Sequence, residues 1–256
     1  MQQRILYAGD TSLDGAASYL TGLMTTWGWH YDYLRSDEPF GDRDPADYGL
    51  FIFSDYPANM IDADAQRAVL NAIAQGAGLA MIGGWESFTG CDGHWRATPI
   101  GDALPVEMSE ADDRVNCDTP VLVATTKGTG GAGSDHATIA GLPWSDRPPL
   151  IGGYNRVTSK PDGTILLEAR HFEAVRDGET FSFTPTRRDP LLVVGSYEGS
   201  RTVALATDVA PHWVGPMVDW GTPRVDGEAP GGFAIEVGCY YARFFRQLLA
   251  WAGSSD

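Results

Sequence analysis

Short apolar runs recur along the first third of the chain. The runs at 4–8 (RILYA), 50–54 (LFIFS) and 79–82 (LAMI) are almost continuously apolar, as is typical of strands covered on both faces of a parallel sheet. The segment 29–34 (WHYDYL) alternates between apolar and polar residues, which also favours a strand. The pattern therefore predicts four strands before Gly83.

Two amphipathic stretches separate these strands. Apolar residues recur at helical spacing over 16–27, with Thr11 or Ser12 as the predicted N-cap. Asp62 is predicted to cap a second helix whose apolar face covers 65–73. The order strand, helix, strand, strand, helix, strand is typical of the βαβ units of a doubly wound sheet.

The second half of the chain is rich in glycine, proline, aspartate and threonine, and its pattern favours strands. Runs at 121–125 and 165–169 predict two strands, and 191–195 with 201–207 predict a hairpin. The segment 237–251 predicts a terminal amphipathic helix. The expected fold class is α/β and flavodoxin-like, with a doubly wound, mostly parallel sheet and β-rich additions in the second half.

Length and composition limit the possibilities further. The 256 residues include 43% hydrophobic residues, and no repeat or long linker interrupts them, so one domain spanning 1–256 is predicted. No run approaches the ~18 apolar residues of a membrane-spanning helix, and the N-terminus lacks a secretory pattern. The three cysteines have no C-x-x-C pairing, which argues against a disulfide scaffold or a structural zinc site. A cytoplasmic protein without a membrane segment is expected.

The charge of the chain bears on its partners. The 34 acidic residues outnumber the 18 basic ones and give a formal net charge of −16. Such a surface repels phosphate backbones, so no nucleic-acid partner is expected. The glycine-rich segment 127–133 is predicted to be a loop, and it lacks the Gly-Lys-Ser/Thr ending of a phosphate-binding loop.

Several segments carry a family resemblance. Residues 81–90 (MIGGWESFTG) resemble the class I glutamine amidotransferase-like family of cytoplasmic proteins. The other matching segments are 98–100 (TPI), 104–106 (LPV), 112–114 (DDR), 136–144 (HATIAGLPW), 152–155 (GGYN) and 206–213 (ATDVAPHW). The block that begins at His136 also resembles, more distantly, the trehalose-utilisation (ThuA-like) family.

The resemblance implies the amidotransferase-like variant of the flavodoxin fold. Active members carry a cysteine nucleophile in the sharp turn after the fourth strand, where a helix dipole stabilises the thiolate. Here Gly83 and Gly84 occupy that turn. The nearest thiol, Cys91, would need to pair with His94 or His212 from outside the turn. We therefore expect no glutamine hydrolysis.

The candidate ligand-binding residues follow predicted strands. Asp208 and His212 come after the strand at 201–207, and ligands of open α/β sheets bind at the carboxyl ends of strands. Trp213 offers an aromatic wall to such a ligand. The alternative is a structural turn in which His212 bonds a carbonyl and Trp213 fills the core.

The turn after the fourth strand and the end of the first strand contribute the other candidates. The N–H groups of Gly83 and Gly84 form a potential nest for an anion or a carbonyl, unless the glycines serve close packing alone. Trp85 and Glu86 follow them, and Asp10 is expected on the same rim. Carboxylates beside a histidine can act as acid and base or hold a metal. No H-x-x-x-H spacing is present, so no metal and no cofactor are predicted.

Three functions remain open from the sequence. The first is an amidotransferase-like protein that binds a small polar molecule without hydrolysing glutamine. The second is a hydrolase or isomerase that uses Glu86, Asp208 and His212 as acid/base groups on a sugar-like substrate. The third is a structural or oligomeric module. A homo-oligomer is expected, with exposed aromatic residues over 213–220 as a candidate interface.

Overall fold

Thirteen strands and five α-helices make up the described part of the chain. The computed structural model describes residues 4–126 and 135–253, apart from the side chain of Pro120. The loop predicted at 127–133 lies outside the described residues. The strands are β1 Arg4–Gly9, β2 Tyr31–Leu34, β3 Tyr48–Ser54, β4 Gly78–Ile82, β5 Val106–Met108, β6 Arg114–Thr125, β7 Leu150–Asn155, β8 Val157–Ser159, β9 Thr164–Asp177, β10 Thr180–Tyr197, β11 Ser200–Leu205, β12 Arg224–Gly227 and β13 Ile235–Gly238. The helices are α1 Ala17–Thr26, α2 Ala63–Ala74, α3 Pro99–Ala103, α4 Pro211–Val214 and α5 Cys239–Ala252.

A nine-stranded mixed sheet runs through the molecule in the order β2-β1-β3-β4-β11-β10-β9-β6-β7. The pairs from β2 to β11 are all parallel, and the pairs from β11 to β7 are all antiparallel. The parallel half has the flavodoxin-like strand order. The predicted fold class, with β-rich additions from the second half of the chain, is confirmed.

The parallel strands form because they are apolar throughout. Every residue of β3 and of β4 is buried, as expected for strands covered on both faces. Helix α2 contacts β3, and α5 packs against β4 and β11. None of the helices in the described residues is long and apolar enough to cross a bilayer.

The start of the first helix corrects one prediction, and the start of the second confirms another. Helix α1 begins at Ala17, and its N-cap residue makes no side-chain hydrogen bond, so neither Thr11 nor Ser12 caps it. Both lie in the turn after β1, where the carbonyl of Asp10 accepts the N–H groups of Ser12 and Ala17. Helix α2 begins as predicted, with Asp62 accepting the N–H groups of two residues of its first turn.

The antiparallel half is longer than the apolar pattern predicts. Strands β9 and β10 extend as a hairpin whose distal residues are mostly exposed, so their polar side chains hide the strand pattern. The terminal helix begins at Cys239 rather than at Val237, because Val237 belongs to β13 and pairs with Val225 of β12.

Candidate functional site

Three aspartates meet where parallel strands end. Asp10 directly follows β1, Asp55 directly follows β3, and Asp208 lies just beyond β11. Parallel pairing places the carboxyl ends of these strands at one edge of the sheet, where α/β proteins bind their ligands. Asp10 and Asp208 are almost completely buried. Asp10 and Asp55 both have left-handed backbone conformations, with φ of 52° and 48°. Such strained non-glycine residues cluster at functional sites.

Asp208 and His212 form a close pair four residues apart in the sequence. The buried Asp208 Oδ1 accepts the N–H groups of Val209 and Ala210, which fixes the carboxylate. Its Oδ2 lies 2.9 Å from His212 Nε2. The His212 side chain, on the short helix α4, keeps 48% of its surface exposed and is open to a ligand. Contact with the Asp208 carboxylate raises the pKa of His212, although partial burial opposes this effect.

The Asp55 carboxylate is the third member of the cluster. Its Oδ1 accepts the backbone N–H of Glu86 at 2.6 Å, and its own N–H donates to Ser87 Oγ at 2.9 Å. Burial, followed by the negative charge of Asp208, raises the pKa of Asp55 to about 7, although the Glu86 N–H stabilises the ionised form. This group can therefore hold or release a proton near neutral pH.

Asp10 lies behind this cluster and is held by Tyr7. The Tyr7 hydroxyl donates to Asp10 Oδ2, whereas Asp10 Oδ1 has no hydrogen-bond partner among the described residues. Burial and the charges of Asp208 and Asp55 raise the pKa of Asp10 well above its ordinary value. The site thus gathers carboxyl groups in a place that water scarcely reaches, where burial and mutual repulsion favour their protonated forms.

The turn after β4 has no room for a side chain. A Cβ atom at Gly83 would stand 2.1 Å from the carbonyl oxygen of Ala206, and one at Gly84 would stand 2.1 Å from Asp55 Oδ1. Both distances are far below van der Waals contact. The Asp55 carboxylate therefore fills the space into which a side chain at position 84 would project.

The N–H groups of this turn are also engaged. Gly83 N–H donates to the carbonyl of Leu205 at 2.7 Å, and Gly84 N–H donates to Asn155 Oδ1 at 2.9 Å. The prediction that Gly83 and Gly84 offer an open nest for an anion is wrong in this form, because both donors already have partners inside the protein. Asn155 Nδ2 returns a hydrogen bond to the carbonyl of Gly84, which locks the turn.

Glu86 and Trp85, also predicted as site residues, follow the turn after β4. Glu86 contributes its backbone N–H to Asp55, while its half-buried carboxylate has a pKa raised by burial and by the nearby charge of Asp92. Trp85 is 47% exposed, and the guanidinium of Arg114 lies 4.8 Å from its ring centre.

Trp213 is a core residue and not a wall of the site. Its side chain is 2% exposed, and its Nε1 donates to Asn116 Oδ1 at 2.8 Å. The indole packs against Gly153 of β7, where a Cβ would come within 2.5 Å of the ring. Trp220 is buried as well, so the prediction of exposed aromatic residues at both ends of 213–220 is wrong.

Cys91 lies outside the turn after β4. Its side chain is exposed and free of any disulfide. By contrast, Asp55, Asp208 and His212 each offer one ligand atom, and these atoms all lie within 4.8 Å of one another. The reactive groups of this edge are thus oxygen and nitrogen atoms.

Asp55 was missed by the sequence reasoning. The available signal was its position directly after the apolar run 50–54, which is the argument that selects Asp10 after the first strand. The roles of Tyr7 and Asn155 have no local sequence signal, because each depends on contacts between distant segments.

A separate concavity lies away from this edge. It has a volume of about 500 Å³ and is lined by Thr119, Leu122, Leu150, Phe172, Ala174 and Phe183 of the antiparallel half. The lining carries no ionisable side chain. Such a lining can bind an apolar group but offers no acid, base or metal ligand. The candidate site is therefore the strand edge with the aspartates and the histidine.

Known proteins resemble this chain in sequence pattern and in fold. A family model described as "Putative glutamine amidotransferase" matches residues 53–223. A cytoplasmic protein from Salmonella typhimurium LT2 has a similar structure, with 23% identity, a TM-score of 0.72, and coverage of 98% of this chain and 99% of that one. A second cytoplasmic protein from Salmonella typhimurium has 21% identity, a TM-score of 0.71, and coverage of 97% and 98%.

A ThuA-like protein from Bacteroides uniformis is a more remote structural neighbour. It has 13% identity and a TM-score of 0.54, with coverage of 98% of this chain and 91% of that one. At these identities the likeness concerns the fold. No curated protein matches the sequence significantly.

Proposed function

The chain belongs to the glutamine amidotransferase-like family, and from this premise we propose that it binds a small polar ligand at the strand edge without hydrolysing glutamine. The ligand would contact Asp55, Asp208 and His212. In this proposal the protein keeps the fold and the ligand-binding edge of an amidotransferase but lacks its attacking sulfur.

The observation that carries the proposal is the position of the Asp55 carboxylate. A nucleophile in the turn after β4 needs a side chain at position 83 or 84. Both residues are glycines, and a Cβ at Gly84 would stand 2.1 Å from Asp55 Oδ1. Without a nucleophile in reach, an adjacent histidine has no proton to remove for acyl transfer.

The charges of the site favour a particular kind of ligand. The charges of Asp208 and Asp55 help to raise the pKa of Asp10, and the charge of Asp208 helps to raise the pKa of Asp55. Within the described residues, His212 is the only basic side chain that pairs with any of them. A ligand that donates hydrogen bonds or carries positive charge is therefore favoured over an anion.

A second candidate function is acid/base catalysis on a sugar-like substrate. A group with a pKa of about 7, such as Asp55, is suited to accept and return a proton at neutral pH. His212 is a second proton-transfer group, and its Nε2 lies 2.9 Å from Asp208 Oδ2. In this version Asp55 takes the acid/base role that the sequence assigns to Glu86.

Thermal-shift binding tests the proposal with a panel of small amines, amino acids, polyols and sugars. We expect at least one panel compound to stabilise the wild type and to lose its effect in Asp208→Asn and His212→Gln, with His94→Gln as an exposed-histidine control. If no compound stabilises the wild type, or if the variants respond equally, the binding proposal fails. Conversion of a bound compound to product, lost in Asp55→Asn, would instead establish the acid/base function.

A further inference from the structure

The cluster at the strand edge has the composition of a metal site. We propose that Asp55, Asp208 and His212 bind one divalent transition-metal ion, with the buried carboxyl group of Asp10 beside them. This inference rests on the proposed function, because it names the ligand class of the same site. The sequence predicted no metal, since Asp55 was not among the candidates and no H-x-x-x-H spacing is present.

The geometry permits a shared ion. One ligand atom from each of the three residues lies within 4.8 Å of the others. Metal–oxygen and metal–nitrogen distances of about 2.0–2.2 Å separate two ligands of one ion by roughly 3–4 Å. Binding an ion would draw these atoms up to about 1–2 Å closer together, toward Asp208, whose carboxylate is already fixed by two backbone N–H groups.

Unpartnered oxygens at the site give an independent reason for a cation. Asp208 Oδ2 and Asp10 Oδ1 are buried, and neither accepts a hydrogen bond from the described residues. The 2.9 Å approach of His212 Nε2 to Asp208 Oδ2 is close, but it is not aligned as a hydrogen bond. Buried carboxylate oxygens require a donor, a proton or a metal ion. An ion between Nε2 and Oδ2 would satisfy both atoms at once.

The donor set selects the class of metal. Mg²⁺ and Ca²⁺ prefer sites made only of oxygen atoms, whereas an imidazole nitrogen beside carboxylates suits zinc, cobalt, iron and manganese. Three protein ligands leave at least one coordination position open, as in sites where a metal also binds a small molecule. The half-exposed His212 is the side of the cluster that faces solvent, so an ion and its exchangeable ligand could enter there.

Titration of chelator-treated protein with Co²⁺ tests the inference through visible absorption, and calorimetry with Zn²⁺ gives the stoichiometry. We expect one ion per chain, with Mg²⁺ binding far more weakly. His212→Ala and Asp55→Asn should lower the Zn²⁺ affinity by about 100-fold or more, beyond the usual effect of losing an outer partner. His30→Ala, which removes an exposed histidine elsewhere, should change nothing.

Several results would overturn the metal site. These are the absence of a saturable cobalt band, a stoichiometry that does not reach one, or equal Zn²⁺ affinity in His212→Ala and His30→Ala. His212→Ala removes a half-exposed side chain, so it keeps the test valid even if Asp55→Asn fails to fold. The two proposals fail separately. Loss of the metal with panel compounds still bound would leave the ligand site intact, whereas glutamine hydrolysis would refute the proposed function whatever the metal result.

Discussion

Gly84→Ala tests whether the Asp55 carboxylate fills the space beside Gly84. The new Cβ would stand 2.1, 2.3 and 2.7 Å from Oδ1, Cγ and Oδ2 of Asp55. All three atoms belong to one side chain, so the carboxylate must move away from the Glu86 N–H that it now accepts at 2.6 Å.

The expected cost of this substitution has two parts. Overpacking a tight site costs about 1–3 kcal/mol, and loss of a hydrogen bond to a charged group costs about 1.5–3 kcal/mol. Together these lower the free energy of unfolding by roughly 2.5–6 kcal/mol, a large share of the ~5–15 kcal/mol of an ordinary domain. Gly15→Ala is the matched control, because its nearest atoms would be 3.4 Å away, and its effect should stay within about 0.5 kcal/mol.

A double-mutant cycle with Asp55→Ala isolates the contact. Asp55→Ala removes all three clashing atoms, so Gly84→Ala should be much less harmful in that background, with a coupling of about 2–3 kcal/mol. Any backbone cost of replacing the glycine is the same in both backgrounds and cancels. Urea denaturation of the four proteins measures the coupling. Effects that add within about 0.5 kcal/mol would mean that Asp55 does not fill this space.

Three further predictions follow from the same edge. Tyr7→Phe leaves a buried oxygen of Asp10 without its donor and should lower the free energy of unfolding in urea by about 1–3 kcal/mol; an unchanged midpoint would contradict it. Asn155→Ala removes the amide that bonds the N–H and the carbonyl of Gly84, and should cost more than about 2 kcal/mol in the same assay; a loss below about 0.5 kcal/mol, the usual effect of a surface substitution, would count against it. Iodoacetamide should label the exposed Cys91 at the same rate in wild type and in His212→Gln, whereas slower labelling of the variant would reveal a thiol–imidazole pair.

The parallel half of the fold was predictable because its strands are buried on both faces. Burial forces the runs at β1, β3 and β4 to be continuously apolar, and such runs stand out from any neighbouring sequence. The long antiparallel strands β9 and β10 gave a weaker signal, since their distal parts are exposed and tolerate polar residues.

The candidate site was only partly predictable for a related reason. Asp208 and His212 lie four residues apart on one segment, so their pairing is a local property. Asp55 joins them only because β3 and β11 flank β4 in the sheet, which no spacing along the chain expresses. Trp213 was assigned to the site for its proximity in sequence, but the packing space opened by Gly153 draws its indole into the core.

Ammonia release from L-glutamine, measured side by side for the wild type and His212→Gln, decides whether this strand edge carries a working nucleophile. Because the Asp55 carboxylate fills the space beside Gly84, the proposed function predicts that both proteins release ammonia only at the background rate of the buffer. Release by the wild type that disappears in His212→Gln would show a working nucleophile at this edge and contradict the account.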